Sequence, residues 1–116
     1  YKYYIKLITM NLENFNELLE QRFEKTRSIL IEKNKEYGLT EDVLHSFREQ
    51  ADFSMHYTGP SVCWELMVKH LYSVRRMVMD FETTGMPPTQ ELMNEKIGDT
   101  INYLILLEAM FKEVQQ

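Results

Sequence analysis

Three polar side chains stand where a buried helix has little use for them. Glu95, Asp99 and Asn102 fall at i, i+4 and i+7 and so share one helix face. After Asn102 the run Tyr103-Leu104-Ile105-Leu106-Leu107 is apolar almost all round, the pattern of a buried helix. Two carboxylates one turn apart repel, and burial raises the cost of each. A divalent cation held between them would offset that cost. Ion pairs with Lys69, Arg75 or Arg76 on a neighbouring helix are the plainer solution. Glu91 extends the stripe toward the helix start. Gly98, mid-helix, costs about 1 kcal/mol relative to alanine. Such a glycine is best tolerated where another backbone or a ligand comes close.

A second group closes an earlier helix: Glu32-Lys33-Asn34-Lys35-Glu36-Tyr37-Gly38. Glu32 and Glu36 are one turn apart, and acids at a helix C-terminus oppose the macrodipole. Taken alone this is a solvated helix end, with Lys33 and Lys35 compensating. The pair Lys69-His70 follows Trp64 on a third helix, with His70 beside an apolar seam. A lone histidine there is more often a hydrogen-bonded boundary residue than a ligand. His45 and His56 lack zinc-like spacing and Cys63 has no second cysteine, so a structural zinc site is not expected. Glycine-rich phosphate loops, nucleophile elbows and HExxH are absent from the sequence.

Composition bounds the rest. A chain of 116 residues is one domain by default. Charged residues make up 27% and hydrophobic ones 44%, ordinary globular values. A net charge of −5 argues against direct nucleic-acid binding. It leaves room for a nucleotide, whose phosphates a metal can neutralise. The single cysteine forbids an intramolecular disulfide and fits a reducing, cytoplasmic compartment. Apolar runs fall short of the roughly 20 residues of a membrane span, so no membrane partner is expected. Residues 1–9 carry two Lys, no acid and three Tyr, unlike the remainder of the chain. Met10 reads as a natural start, which makes 1–9 a leader or added arm and 10–116 a single helical domain. A native β-rich arm that pairs with a neighbouring subunit is the alternative.

Helices must position these groups. Apolar spacing predicts the first from Leu12 to Tyr37, closed by Gly38. Thr40 is the expected N-cap of a second carrying Val43, Leu44, Phe47, Ala51 and Phe53, stopped by Gly59-Pro60. Ser61 is the expected cap of a third, with a seam of Trp64, Met67, Leu71, Val74, Val78 and Phe81. Gly85-Met86-Pro87-Pro88 breaks it, and Thr89 begins a fourth that runs to about Glu113. The fold class expected is all-α, an antiparallel four-helix bundle. The last helix is apolar on so many sides that it belongs at the centre or at a subunit interface, which predicts a homo-oligomer.

Glu95-Lys96-Ile97-Gly98-Asp99-Thr100-Ile101-Asn102-Tyr103 resembles the E-E-x-G-D…Y helix of the MazG-like, all-α nucleotide pyrophosphatases. The chain is more similar to a phage-borne relative, the nucleotide-modification-associated domain family. That family has a K-N-x-D-Y-G element, which Lys33-Asn34-Lys35-Glu36-Tyr37-Gly38 matches with Glu for Asp. It also has a W-x-x-M-x-K-H-L segment, matched by Trp64 to Leu71. The resemblance spans about residues 30 to 112.

It implies a MazG-like fold and a Mg²⁺ site of four carboxylates spaced E-x-x-E and E-x-x-D. The reaction implied is release of pyrophosphate from a nucleoside triphosphate, the ion binding the phosphates and activating water. The implied metal ligands and catalytic groups are Glu36, Glu95 and Asp99, with Glu32 as a further ligand. Lys33, Asn34 and Asn102 would orient substrate, and Lys69 or His70 would touch phosphate. Lys96 and Lys33 stand where the pattern has acids, so the ligand set is reshaped or smaller. If those lysines meet phosphate directly, the chain binds a nucleotide without hydrolysing it. A helical protein-interaction module is the third class.

Overall fold

Asn11 opens the first helix of the computed structural model: its Oδ1 accepts the Asn14 N–H at 2.8 Å, a side-chain N-cap. The structure describes residues 9–36, 43–55 and 58–115, with the side chains of residues 33–36 outside that description. The first helix, α1, spans Leu12–Glu36. The expected Gly38 cap and most of the proposed leader, residues 1–8, lie outside the described residues. Helix α2 is short, His45–Phe53, and begins after Leu44 without a side-chain cap. Thr40, its expected cap, is also outside the described residues.

Gly59-Pro60 corrects the sequence reading. These residues do not stop α2 but open α3, Gly59–Thr84. Proline is tolerated in a helical first turn because the N–H it lacks would have no intrahelical acceptor. Thr58 is the cap, its Oγ1 accepting the Ser61 N–H at 3.3 Å, so Ser61 donates to the cap instead of forming it. Gly85 ends α3 as expected, with φ 72° and its N–H donating to the Phe81 carbonyl. Thr89 then caps α4, Gln90–Gln115, by accepting the Leu92 N–H at 3.1 Å.

Helices α3 and α4 form the main pair and run antiparallel. The Cys63 thiol donates to the Tyr103 carbonyl at 3.3 Å, and further along α3 His70 faces Asp99, further back on α4. Helix α2 packs on α3, and α1 packs on α4. Helix α4 therefore lies between α1 and α3, one of the two places its apolar circumference allows. The result is an all-α helical bundle, with no strand among the described residues. None of its described helices is long and apolar enough to cross a membrane.

The core gathers where α2, α3 and α4 meet: Leu44, Phe47, Ala51, Val62, Cys63 and Met110. Three expected seams need correction. On α3, Met67 is buried, but Trp64, Leu71 and Val78 face outward. The inward stripe is Cys63, Met67, His70, Val74 and Met77, rotated by about one residue. Phe53, expected in the α2 seam, is 93% exposed because α2 ends there. On α1, Phe15 and Phe23 are exposed, and Thr26 is the buried residue among the described side chains.

Candidate functional site

His70 belongs to the inward stripe of α3, so its ring points at α4. Its Nε2 lies 3.8 Å from Asp99 Oδ2, within ion-pair range but too long for a hydrogen bond. Its ring centroid is 5.5 Å from that of Tyr103, tilted by 39°. The His70 Nδ1 is buried without a hydrogen-bond partner, and so is Asn102 Oδ1. Asn102 itself is only 7% exposed. A buried polar atom left unpaired costs about 1–3 kcal/mol. Two such atoms, one on the ring whose other nitrogen faces Asp99 and one on α4 a turn beyond Asp99, mark this part of the α3–α4 pair as polar without being internally satisfied.

Neighbouring ionisation follows the burial. The Tyr103 phenol is pushed above its ordinary range, first by burial and then by the charges of Asp99 and Cys63. Burial alone pushes the Cys63 thiol up. Both groups are neutral when protonated, so a raised folded pKa favours the folded state only while the protons stay on. That contribution is complete below the unfolded values, about 8.5 for Cys and 10 for Tyr. It is lost as pH rises through the folded ones. Thermal melts between pH 8 and 11 are therefore expected to show falling stability, with a smaller fall in Tyr103→Phe. An identical alkaline slope in the variant would contradict the assignment to Tyr103.

The other edge of the site is made by α1. Arg22 Nη2 donates to Asn94 Oδ1 at 3.4 Å. Its Nη1 lies only 2.8 Å from where a Cβ on Gly98 would stand. Gly98 is thus the gap through which the guanidinium crosses α4, and a side chain there would displace it. Asn94, Gly98 and Asn102 recur every fourth residue, so Asn102 continues the stripe that meets Arg22. Arg22 is a site residue the sequence reading missed. The available signal was the set Arg22, Thr26 and Ile29, at i, i+4 and i+7, with two polar side chains on what becomes the packed face of α1.

The remaining expected residues divide. His70, Asp99 and Tyr103 come together, with Asn102 buried on the adjoining face of α4. Lys69 does not join them. It is turned toward α2, lining a separate hollow of about 210 Å³ with Gln50, Phe53 and Leu66. Glu95 is largely exposed, and its Oε1 meets the Nζ of its neighbour Lys96 at 3.2 Å. Glu32 is exposed. The side chains of Lys33, Asn34 and Glu36 lie outside the described residues. The ion pairs considered for the α4 acids take other partners: Arg76 pairs with Asp80 at 3.5 Å, while Asp99 faces His70.

For a divalent cation, α4 supplies two carboxylates on one face, Glu95 and Asp99. No group of three His, Cys, Asp or Glu side chains that could hold a metal occurs among the described residues. Comparison with protein-family models, curated proteins and solved structures finds no match to this chain.

Proposed function

We propose that this chain is a nucleotide-binding protein of the MazG-like helical class, phage- or prophage-encoded and acting as a homo-oligomer in the host cytoplasm. The nucleotide lies against α3 and α4, with His70, Asp99 and Asn102 as its contacts. The observation that carries this reading is the pair of buried atoms with no partner, His70 Nδ1 and Asn102 Oδ1. A nucleobase offers N–H donors and ring acceptors that would satisfy both, and a phosphate would accept from a histidine N–H. Arg22 adds a cation at the α1 edge, and Gly98 makes room for it. Positions 22, 26, 29, 33 and 36 recur at helical spacing, which is why Lys33 and Glu36 are retained as substrate and metal residues.

Glu36, Glu95 and Asp99 would hold Mg²⁺; Glu32, which forms no metal-holding group with Glu95 and Asp99, drops out of the set. When bound, the ion would neutralise phosphate charge and lower the pKa of a water for release of pyrophosphate. The contact between Lys96 and Glu95 favours a second reading, binding without hydrolysis, because it occupies one of the two α4 carboxylates.

Asp99→Asn tests the site. Asp99 is about one-third exposed, and His70 faces it at 3.8 Å. The melting temperature of the free protein is therefore expected to change little, by about 0.5 kcal/mol or less. Stabilisation by a nucleoside triphosphate with Mg²⁺ should fall at least tenfold in apparent affinity. Pyrophosphate release measured alongside separates hydrolysis from binding. A large loss of stability in the free variant, with an unchanged nucleotide response, would mean that Asp99 only holds the helices together.

A further inference from the structure

Lys69, which the α3–α4 site leaves aside, borders the hollow of about 210 Å³ between α2 and α3. The floor of that hollow is apolar: Val62 is buried, and Leu66 packs against the buried core. Its rim is polar, with Gln50 from α2 and Glu65 and Lys69 one turn apart on α3. Among the described residues the Lys69 side chain has no acidic partner. Ser54 also lines the hollow, but its hydroxyl already donates to the Gln50 carbonyl. Phe53 stands at the edge, 93% exposed although it adjoins the apolar floor. Helix α2 stops at Phe53, and the chain turns away through Met55, whose φ of 63° is left-handed. The ring is thus held at the mouth of the hollow and not in the core.

We infer that this hollow binds a small aromatic carboxylate. An apolar concavity with a few polar groups at its rim is the ordinary form of a small-molecule site. The ligand ring covers Val62 and Leu66 and stacks against Phe53, which removes both rings from water. Its carboxylate meets the Lys69 ammonium, and the Gln50 amide can donate to the second oxygen. Volume sets the size of the ligand. Sites for drug-sized molecules run from about 300 Å³ upward, so this smaller hollow suits one ring with a short acid tail. A nucleoside with its phosphates is too large for it. Charge sets the valence. Glu65 brings a negative charge one turn from Lys69, which favours a single carboxylate over a phosphate carrying nearly two charges. The inference does not rest on the nucleotide reading, since none of the lining residues is one of its contacts.

The test is a titration of the full chain with 3-phenylpropionate up to about 5 mM, followed by amide NMR shifts. Saturable shifts are expected at Gln50, Phe53, Leu66 and Lys69, with none at Asn102. Lys69→Gln is expected to bind about fivefold more weakly, the upper range for an exposed ion pair. The uncharged 3-phenylpropionamide should show the same loss against the wild type. Phe53→Ala is expected to bind about tenfold more weakly, since it removes the stacking surface. Both positions are exposed, so the fold should tolerate the changes, and unchanged helicity by circular dichroism checks this. Absence of saturable shifts would overturn the inference. So would shifts centred on the separate groove at Trp64 and Phe111, or equal affinity for acid and amide, which marks unspecific apolar binding.

Discussion

Replacing Asn102 by leucine is expected to stabilise the free protein and to abolish its response to nucleotide. The two side chains have the same length and branching, so little repacking is needed. Asn102 is 7% exposed and its Oδ1 has no partner, so the native state carries the cost of a buried, unpaired carbonyl. Removing that cost and adding buried apolar surface should gain about 1 kcal/mol, roughly 4–8 °C in Tm for a domain near this size. The same change deletes the atom proposed to receive a ligand donor, so added nucleoside triphosphate should no longer raise Tm. Opposite signs for stability and binding are what a residue retained for a ligand predicts. A lower Tm in the free variant would show instead that a bound water already satisfies Asn102.

Phe47→Ala is expected to have the largest effect on stability, a loss of about 3–5 kcal/mol. Phe47 is 7% exposed and central to the cluster with Leu44, Val62, Cys63 and Met110. Helix α2 has nine residues, too few to persist without tertiary contacts, and Phe47 is its largest buried side chain. Its loss should release α2 from α3 and loosen the register that sets His70 opposite Asp99. Urea unfolding should show a midpoint lower by more than about 1 M. A change under about 1 kcal/mol would mean that α2 is held by other contacts, such as the Arg48–Glu113 ion pair.

Local signals in the sequence are the readable ones. The Gly85 break and the Thr89 cap depend on backbone chemistry within a few residues, and the structure has both where expected. Gly59-Pro60 misleads because the same pair can end one helix or open the next. Thr58, with a hydroxyl three residues before the free N–H of Ser61, decides it. The α3 seam is displaced because two apolar stripes coexist on that helix. The one containing Trp64, Leu71 and Val78 is the more hydrophobic, yet the core uses the one interrupted by Cys63 and His70.

The candidate site divides on the same line. Asp99 and Asn102 are legible because helical spacing alone puts them on one face. Lys69 and His70 are neighbours in sequence, but consecutive helical residues point about 100° apart, and only His70 reaches α4. Arg22 is legible only as one of two polar residues on a face shared with Thr26 and Ile29, since its role exists only where α1 crosses Gly98.

The most direct measurement is a thermal-shift panel of nucleoside mono-, di- and triphosphates with and without Mg²⁺, run on the wild type, Asn102→Leu and His70→Ala. At about a hundred times Kd a true ligand stabilises by about 2.7 kcal/mol, a shift of many degrees. A nucleotide site at His70 and Asn102 predicts such a shift in the wild type, strongest with Mg²⁺, and its loss in both variants. No shift with any nucleotide, or the same shift in all three proteins, would contradict it.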